Sequence, residues 1–308
     1  MSNVLLGCAI GDALGKFAES KLPDYQPLLD WDGKTFLPSV YHKLEAHQYT
    51  DDTMMSLAVA ESLVANNGFN PDDLSKRYVE LFTSNTIRGY GRTTKLAIDN
   101  LISGKHWSES GVIGSYGNGV AMRVAPFGVY FRNDFKSLIE AVKIDNAMTH
   151  NSDESEAGAL AIAITVALAC NSDAGDLIDK ICEYLPNSEV RNKIKKLDEL
   201  IFSKSVATMQ ALAYLGVRAD VRMTAPSVLY MYLSYSDNKL ALEDMIRSAG
   251  DCDTNGAILN SIYGAEYGLK CFDEYHVENV ENRDYLIELD DKLYNRTNNS
   301  QIKLFPRN

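Results

Sequence analysis

Gln48-Tyr49-Thr50-Asp51-Asp52-Thr53-Met54-Met55 places two adjacent carboxylates between two threonines, where a polar segment gives way to the apolar run Met54-Met55-Ser56-Leu57-Ala58-Val59. Far downstream, Ala249-Gly250-Asp251-Cys252-Asp253-Thr254 repeats the arrangement and again opens an apolar run. Each segment reads as a helix start, because Thr or Asp can cap free N–H groups and acids in a first turn suit the helix dipole. Capping alone explains one such segment. Two of them collect four aspartates, and clustered carboxylates repel unless cations neutralise them. Thr50, Asp51, Asp52, Asp251, Asp253 and Thr254 offer only oxygen, the donor type of hard divalent cations, and no His or Cys cluster competes. The two segments are therefore expected to meet in space and to hold Mg²⁺ or Mn²⁺ rather than zinc.

Outward from these segments the apolar spacing is helical. Helices are expected from Val4 to about Ser20, from Asp51 to Val64, after the cap Asn70-Pro71-Asp72-Asp73, and around Leu96, Ile98, Leu101 and Ile102. Further patterns cover Asp134–Thr149, Asp153–Ala169, Asp176–Tyr184, Ser188–Phe202, Ser205–Leu215, Thr224–Leu233, Lys239–Ser248, Asp253–Gly268 and Asn282–Tyr294. No segment alternates as a strand does. The fold expected is all-α, a single multi-helix domain. The glycines of the first helix (Gly7, Gly11, Gly15) weaken it and point to close packing or to a ligand. Asp12, inside that run, reads as a buried acid bonded to backbone amides. The acids Asp72 and Asp73 follow Pro71 with no threonine frame and read as solvated partners of the dipole. Leu22–Gln48 is a long polar loop, of the kind that is often functional.

The chain has 308 residues, 45% of them hydrophobic, enough for a sizeable core. A net charge of −12 argues against an extended nucleic-acid surface, which needs cationic side chains against phosphates. Five scattered cysteines without a CxxC pair suit thiols in a reducing compartment. No basic segment precedes the first apolar run and none approaches the roughly 20 residues of a membrane span, so a cytoplasmic protein with no signal peptide is expected. From residue 271 to 308 the composition turns acidic. That stretch reads as a helical extension packed on a main domain of residues 1–270.

The two acidic segments, with Gly7-Cys8-Ala9-Ile10-Gly11-Asp12-Ala13-Leu14-Gly15 before them, resemble the ADP-ribosylglycohydrolases, which include ADP-ribosyl-acceptor hydrolases and dinitrogenase-reductase-activating glycohydrolases. Further matches follow in order: Arg88-Gly89-Tyr90-Gly91, the stretch from Ser115-Tyr116-Gly117-Asn118-Gly119 to Pro126, Met148-Thr149-His150, and Gly264-Ala265-Glu266-Tyr267-Gly268. The resemblance runs from about Val4 to Gly268. It implies that Thr50, Asp51, Asp52, Asp251, Asp253 and Thr254 ligate two divalent cations. It also implies that Glu19 lies on a flap at the active site, the candidate acid or base beside Asp52 and Asp251. Gly89, Gly91, Ser115, Tyr116, Gly117 and His150 are implied around ADP-ribose. Arg123 reads instead as structural. Cys252 stands where the family usually carries a hydroxyl residue, a departure that touches metal preference rather than metal binding.

The function expected is metal-dependent hydrolysis of the bond between ribose C1″ of ADP-ribose and an acceptor. The acidic balance favours a cationic acceptor such as a protein arginine. ADP-ribosylated nucleic acid, a small conjugate, a phosphohydrolase acting on the pyrophosphate, and a non-catalytic crystallin-like or ADP-ribose-binding protein remain alternatives. A monomer is expected.

Overall fold

The computed structural model describes residues 2–84, 86–173, 175–202 and 207–296. The expected helix start at Ser205 and the last part of the acidic extension, 297–308, lie outside them. α1 (Val4–Gly15) leads through the single turn α2 (Gln26–Leu29) and a long irregular segment to α3 (Asp51–Asn66) and α4 (Pro71–Thr83). α5 (Arg92–Ile102), α6 (Trp107–Ser110) and α7 (Ala125–Tyr130) precede the pair α8 (Phe135–Thr149) and α9 (Asp153–Cys170). Next come α10 (Leu177–Tyr184), α11 (Glu189–Ile194), α12 (Leu197–Phe202), α13 (Thr208–Leu215) and α14 (Val221–Ser234). α15 (Asn238–Arg247) delivers the chain to α16 (Cys252–Tyr267), and α17 (Glu274–Asn279) and α18 (Arg283–Arg296) follow. Among the described residues β pairing is limited to one isolated bridge, Ser39 with Leu44. None of these helices is long and apolar enough to cross a membrane.

Three helices form the centre. Every residue of α1 is buried, as is every residue from Ala157 to Ala169 in α9 and from Cys252 to Ala265 in α16. A helix without a polar face belongs in a core, and these three have none. α1 and α16 run antiparallel with their backbones in contact. A Cβ added at Gly7, Gly11 or Gly15 would lie 2.3, 2.2 or 2.4 Å from the carbonyl oxygens of Asn260, Gly256 and Cys252. Glycine in α1 therefore serves close approach between helices, at the cost of helix propensity.

Two expected helices differ. The first stops at Gly15, after which the chain tightens into turns and Ser20, at φ +60°, donates its N–H to the Gly250 carbonyl. Glu19 thus sits in a turn, not at a helix end. The expected helix over Ser188–Phe202 is divided at Lys195–Lys196, both exposed and so without packing to hold the backbone. Asp73, as expected of a dipole partner, pairs with Arg77, and Asp72 accepts from the Trp107 indole.

α18 packs on α1, α3 and α7 and supplies a cap from across the sequence. Asn3, the N-cap residue of α1, makes no side-chain cap, yet Asp290 accepts from Leu5 N at 3.0 Å and Leu6 N at 3.1 Å. Asp290 is 1% exposed. Replacing it by alanine leaves two buried N–H groups unpartnered, an expected loss of about 2–3 kcal/mol and roughly 5–10 °C in Tm. A melt within about 1 °C of wild type would show the cap to be dispensable.

Candidate metal centre and substrate cleft

Asp12 is the hub that fixes the first acidic segment. Its two oxygens accept from Thr50 N (2.9 and 3.0 Å), Thr53 N (3.1 Å), Thr50 Oγ1 (2.9 Å) and Thr53 Oγ1 (2.7 Å). The threonines that frame Asp51 and Asp52 therefore bond to α1 and aim the acidic pair. α3 has no side-chain cap of its own, because the Thr50 side chain is turned to Asp12. On the other side, the close contact of α1 with α16 brings the N-terminus of α16, with Asp251, Asp253 and Thr254, to the same place.

The two segments meet. Asp51, Asp52, Asp251, Asp253 and Thr254 line one cleft of about 220 Å³ together with Glu19, Gly89, Gly91, Gly117 and His150. Thr50 lies just behind, its Oγ1 3.1 Å from Asp52 Oδ2. All four aspartates are 6% exposed or less. Burial, then the charge of Asp12, pushes the carboxyls of Asp51 and Asp52 well above the ordinary range. Burial raises Asp251 to about 7, and burial followed by the charges of Glu19, Asp251 and Asp52 raises Asp253. Asp52 Oδ1 and Asp253 Oδ1 are buried with no hydrogen-bond partner. Orphaned buried carboxylate oxygens are costly unless a cation completes them. An all-oxygen donor set with two such atoms fits a divalent cation centre.

Another part of the lining suits an anion. Gly91 caps α5 without a side chain, and Arg92, Thr93 and Thr94 of its first turn face the cleft. A bare helix N-terminus presents N–H groups and positive dipole to an anion. Beside it, the loop carrying Gly117 and Gly119 lies on the His150 ring, where an added Cβ would meet the imidazole at 2.9 and 2.7 Å. His150 Nδ1 is 3.0 Å from Thr149 Oγ1. Burial and the Arg123 charge lower the His150 pKa to about 3, so the ring is neutral.

Ser115 and Tyr116 do not line the enclosed cleft. Ser115 Oγ accepts from Gly117 N at 3.3 Å and is 3.2 Å from Thr93 Oγ1, so it ties the two loops together. Tyr116 is half-exposed and its ring is covered by the Arg222 guanidinium at 4.1 Å. Arg123 is fully buried, bonded to Asp145, Gly119 O and Thr149 Oγ1. That is a structural set of partners, as its sequence context implied.

Several residues at the cleft escaped sequence reasoning. Asn118 donates to Asp251 Oδ2 at 2.5 Å and to Thr224 Oγ1 at 2.9 Å, but from sequence it is one more turn residue. His42 reaches the Glu19 carboxylate from the Leu22–Gln48 loop. Lys16 is 1% exposed and donates to Ala13 O (3.0 Å), Leu37 O (3.1 Å) and Ala46 O (2.7 Å), pinning that loop to α1. Glu281, beyond α17, binds Arg88 through both oxygens at 2.7 and 3.0 Å, and Arg88 also donates to Tyr49 O. The start of the acidic extension thereby holds the loop that carries Gly89. Nothing in the local sequence around these residues marks them.

A family model described as ADP-ribosylglycohydrolase matches residues 2–302. A protein of Archaeoglobus fulgidus without an assigned function is 32% identical over 300 residues, covering 95% of each chain. ADP-ribosylhydrolase ARH3 of Gallus gallus is 26% identical, with 86% of this chain and 84% of that protein covered, and the Homo sapiens ARH3 is 25% identical with the same coverage. A solved structure titled ADP-ribosylglycohydrolase-related protein complex superposes with a TM-score of 0.73 at 22% identity, over 96% of both chains.

Two outcomes follow from the electrostatics. In EDTA, Asp253→Asn is expected to melt roughly 2–6 °C above wild type, because a repelled buried carboxyl is gone, while Mn²⁺ raises its Tm far less than that of wild type. A wild-type-like response to Mn²⁺ would remove Asp253 from the centre. For His150, the folded pKa lies below the unfolded 6.5, so its contribution is full above that pH and is lost as pH falls toward 3. The raised carboxyls act in the opposite direction, so the difference between wild type and His150→Gln isolates the histidine. That difference should fall by roughly 2–3 kcal/mol between about pH 6.5 and about pH 4.5 in urea melts. Parallel pH profiles would show that the ring takes up its proton without leaving its site.

Proposed function

The chain belongs to the ADP-ribosylglycohydrolase family, and from that premise we propose that it releases ADP-ribose from an ADP-ribosylated protein side chain, with two Mg²⁺ or Mn²⁺ ions as cofactors. The family's chemistry is hydrolysis of ADP-ribosyl linkages. One observation carries the finer assignment to this chain's residues. An acidic oxygen cluster with orphaned atoms and an uncapped helix N-terminus line one cleft together. A ligand that satisfies both has hydroxyls to share with cations at one end and a diphosphate beside them. ADP-ribose has that layout.

In this reading Thr50, Asp51, Asp52, Asp251, Asp253 and Thr254 hold the cations, and Asn118 fixes the orientation of the Asp251 carboxylate through Oδ2. Divalent ions held there would supply Lewis acidity, which would favour binding of hydroxyl oxygens and lower the pKa of water in the cleft. The N–H groups at the start of α5, with the backbone at Gly89, Gly91 and Gly117, take the diphosphate. His150, neutral and buried, supports the Gly117–Gly119 loop from below. About 220 Å³ is less than the roughly 300–1,000 Å³ of a whole-ligand pocket, so the ribose and diphosphate occupy the enclosed part. Adenine then extends toward the open side, where Tyr116 and Arg222 stand.

Glu19 is the lining carboxyl of the cleft outside the four aspartates, and its side chain is partly exposed. In this reading its carboxylate takes a proton from water as the water oxygen bonds to C1″, and gives that proton to the departing acceptor atom as the C1″–acceptor bond breaks, with Asp52 and Asp251 ordering the reactants beside it. The acceptor lies beyond Glu19, against the Leu22–Gln48 loop, and a protein arginine is the linkage that the net charge favours. The five cysteines are unpaired thiols, which fits a reducing compartment, and we place the protein in the cytoplasm as a monomer.

The test is ADP-ribose release from arginine-ADP-ribosylated and serine-ADP-ribosylated proteins with Mg²⁺, Mn²⁺ or EDTA. Intact ADP-ribose is expected from one substrate, abolished by EDTA and by Asp251→Ala, with kcat lowered about 10²–10⁴-fold in Glu19→Gln. AMP and a ribose phosphate as products would overturn the reading, as would release that EDTA leaves unchanged.

A further inference from the structure

The Leu22–Gln48 loop brings one side chain against Glu19, a residue of the cleft, that the cation centre as described does not use. His42 is the residue; its side chain is 5% exposed and its Nε2 is directed at Glu19 Oε2. One ligand atom from each of Glu19, His42 and Asp253 lies within 4.8 Å of the others. Donors on one ion, each about 2.0–2.3 Å from it, span up to about 4.6 Å, so the His42 nitrogen lies at about the distance of a further donor to an ion that Asp253 holds. A second observation points the same way. Asp253, a member of this group, is 3% exposed, and its Oδ1 is buried with no hydrogen-bond partner. The ring also borders the first acidic segment: a Cβ at Gly89 would lie 3.3 Å from His42 Cε1 and 3.1 Å from Asp51 Oδ1.

The loop holds the ring in place. His42 N donates to Ser39 Oγ at 3.2 Å, Tyr41 packs edge-on against the imidazole at 4.7 Å, and Lys16 anchors the loop on both sides through Leu37 O and Ala46 O. A preorganised imidazole changes the chemistry of an otherwise all-oxygen site. Mg²⁺ keeps oxygen ligands and its waters, whereas nitrogen donors raise affinity for first-row transition ions. We propose that His42 supplies a nitrogen ligand to the cation centre and biases it toward a transition ion such as Mn²⁺ over Mg²⁺. This rests on the assignment of the aspartates as a cation centre, but not on the reaction or its acceptor.

The experiment uses the full chain and Mn²⁺ alone as probe, read by pulsed electron paramagnetic resonance. Wild type should show ¹⁴N coupling to bound Mn²⁺ that becomes ¹⁵N coupling on [¹⁵N]histidine labelling, with no substitution needed. In His42→Gln the coupling should vanish, the Mn²⁺ Kd should weaken about tenfold or more, and the Mg²⁺ Kd, read by competition, should change less than about threefold. Bound Mn²⁺ without nitrogen coupling in wild type overturns the role of His42 and leaves the centre standing. Coupling that persists in His42→Gln assigns it to another histidine and overturns the proposal as well. No Mn²⁺ bound at all removes the cation centre and this inference with it. Nitrogen coupling with no release of ADP-ribose from either substrate refutes the proposed reaction alone.

Discussion

The structure depends on the contact between the backbones of α1 and α16. With glycine at 7, 11 and 15, the helices approach until α1 atoms rest on the carbonyls of Asn260, Gly256 and Cys252. Larger side chains would hold them at the usual 8–10 Å between axes. The contact is antiparallel, so it lays the N-terminus of α16 against the end of α1. Asp12, one residue beyond Gly11, then reaches sideways to the N-terminus of α3. Two acidic segments about 200 residues apart are thereby fixed by one helix pair and one carboxylate.

That arrangement sets stability against function. Four aspartates that would be solvated elsewhere are buried together, and burial raises each carboxyl above its ordinary range. Among the described residues no ion pair reaches these four carboxyls, and Lys16, a buried cation nearby, is itself lowered to about 8 by burial and spends its N–H groups on carbonyls. Sites of this kind hold strain in the absence of a ligand and release it when the ligand binds. The surrounding core, built on α1 and the buried lengths of α9 and α16, is what tolerates it.

The periphery acts on the cleft through ties rather than through the cleft lining itself. Lys16 fastens the long loop, Arg88 and Glu281 fasten the Gly89 loop to the chain beyond α17, and Asp290 caps α1 from α18. The acidic C-terminal region, read from composition as a helical extension packed on the main domain, places two of its acids against the elements that carry the site. Charge density alone does not distinguish Asp290, at 1% exposure, from Asp284, whose side chain is 85% exposed.

The all-helical class, most helix spans and the meeting of the two acidic segments were legible from sequence, because helical periodicity, capping residues and carboxylate repulsion act locally or by composition. The glycines of α1 also announced close packing, though not their partner. What the tertiary structure decided was which side chains converge. Asn118 on Asp251, His42 on Glu19 and Asp290 on α1 are contacts spanning from 23 to 285 positions, and no local pattern encodes them. It likewise left Ser115 and Tyr116 outside the lining of the cleft and set Glu19 in a turn rather than a helix. The physical reason is the same in each case: the sequence states what each residue can bond to, and the packing of α1 on α16 decides which partner comes within reach.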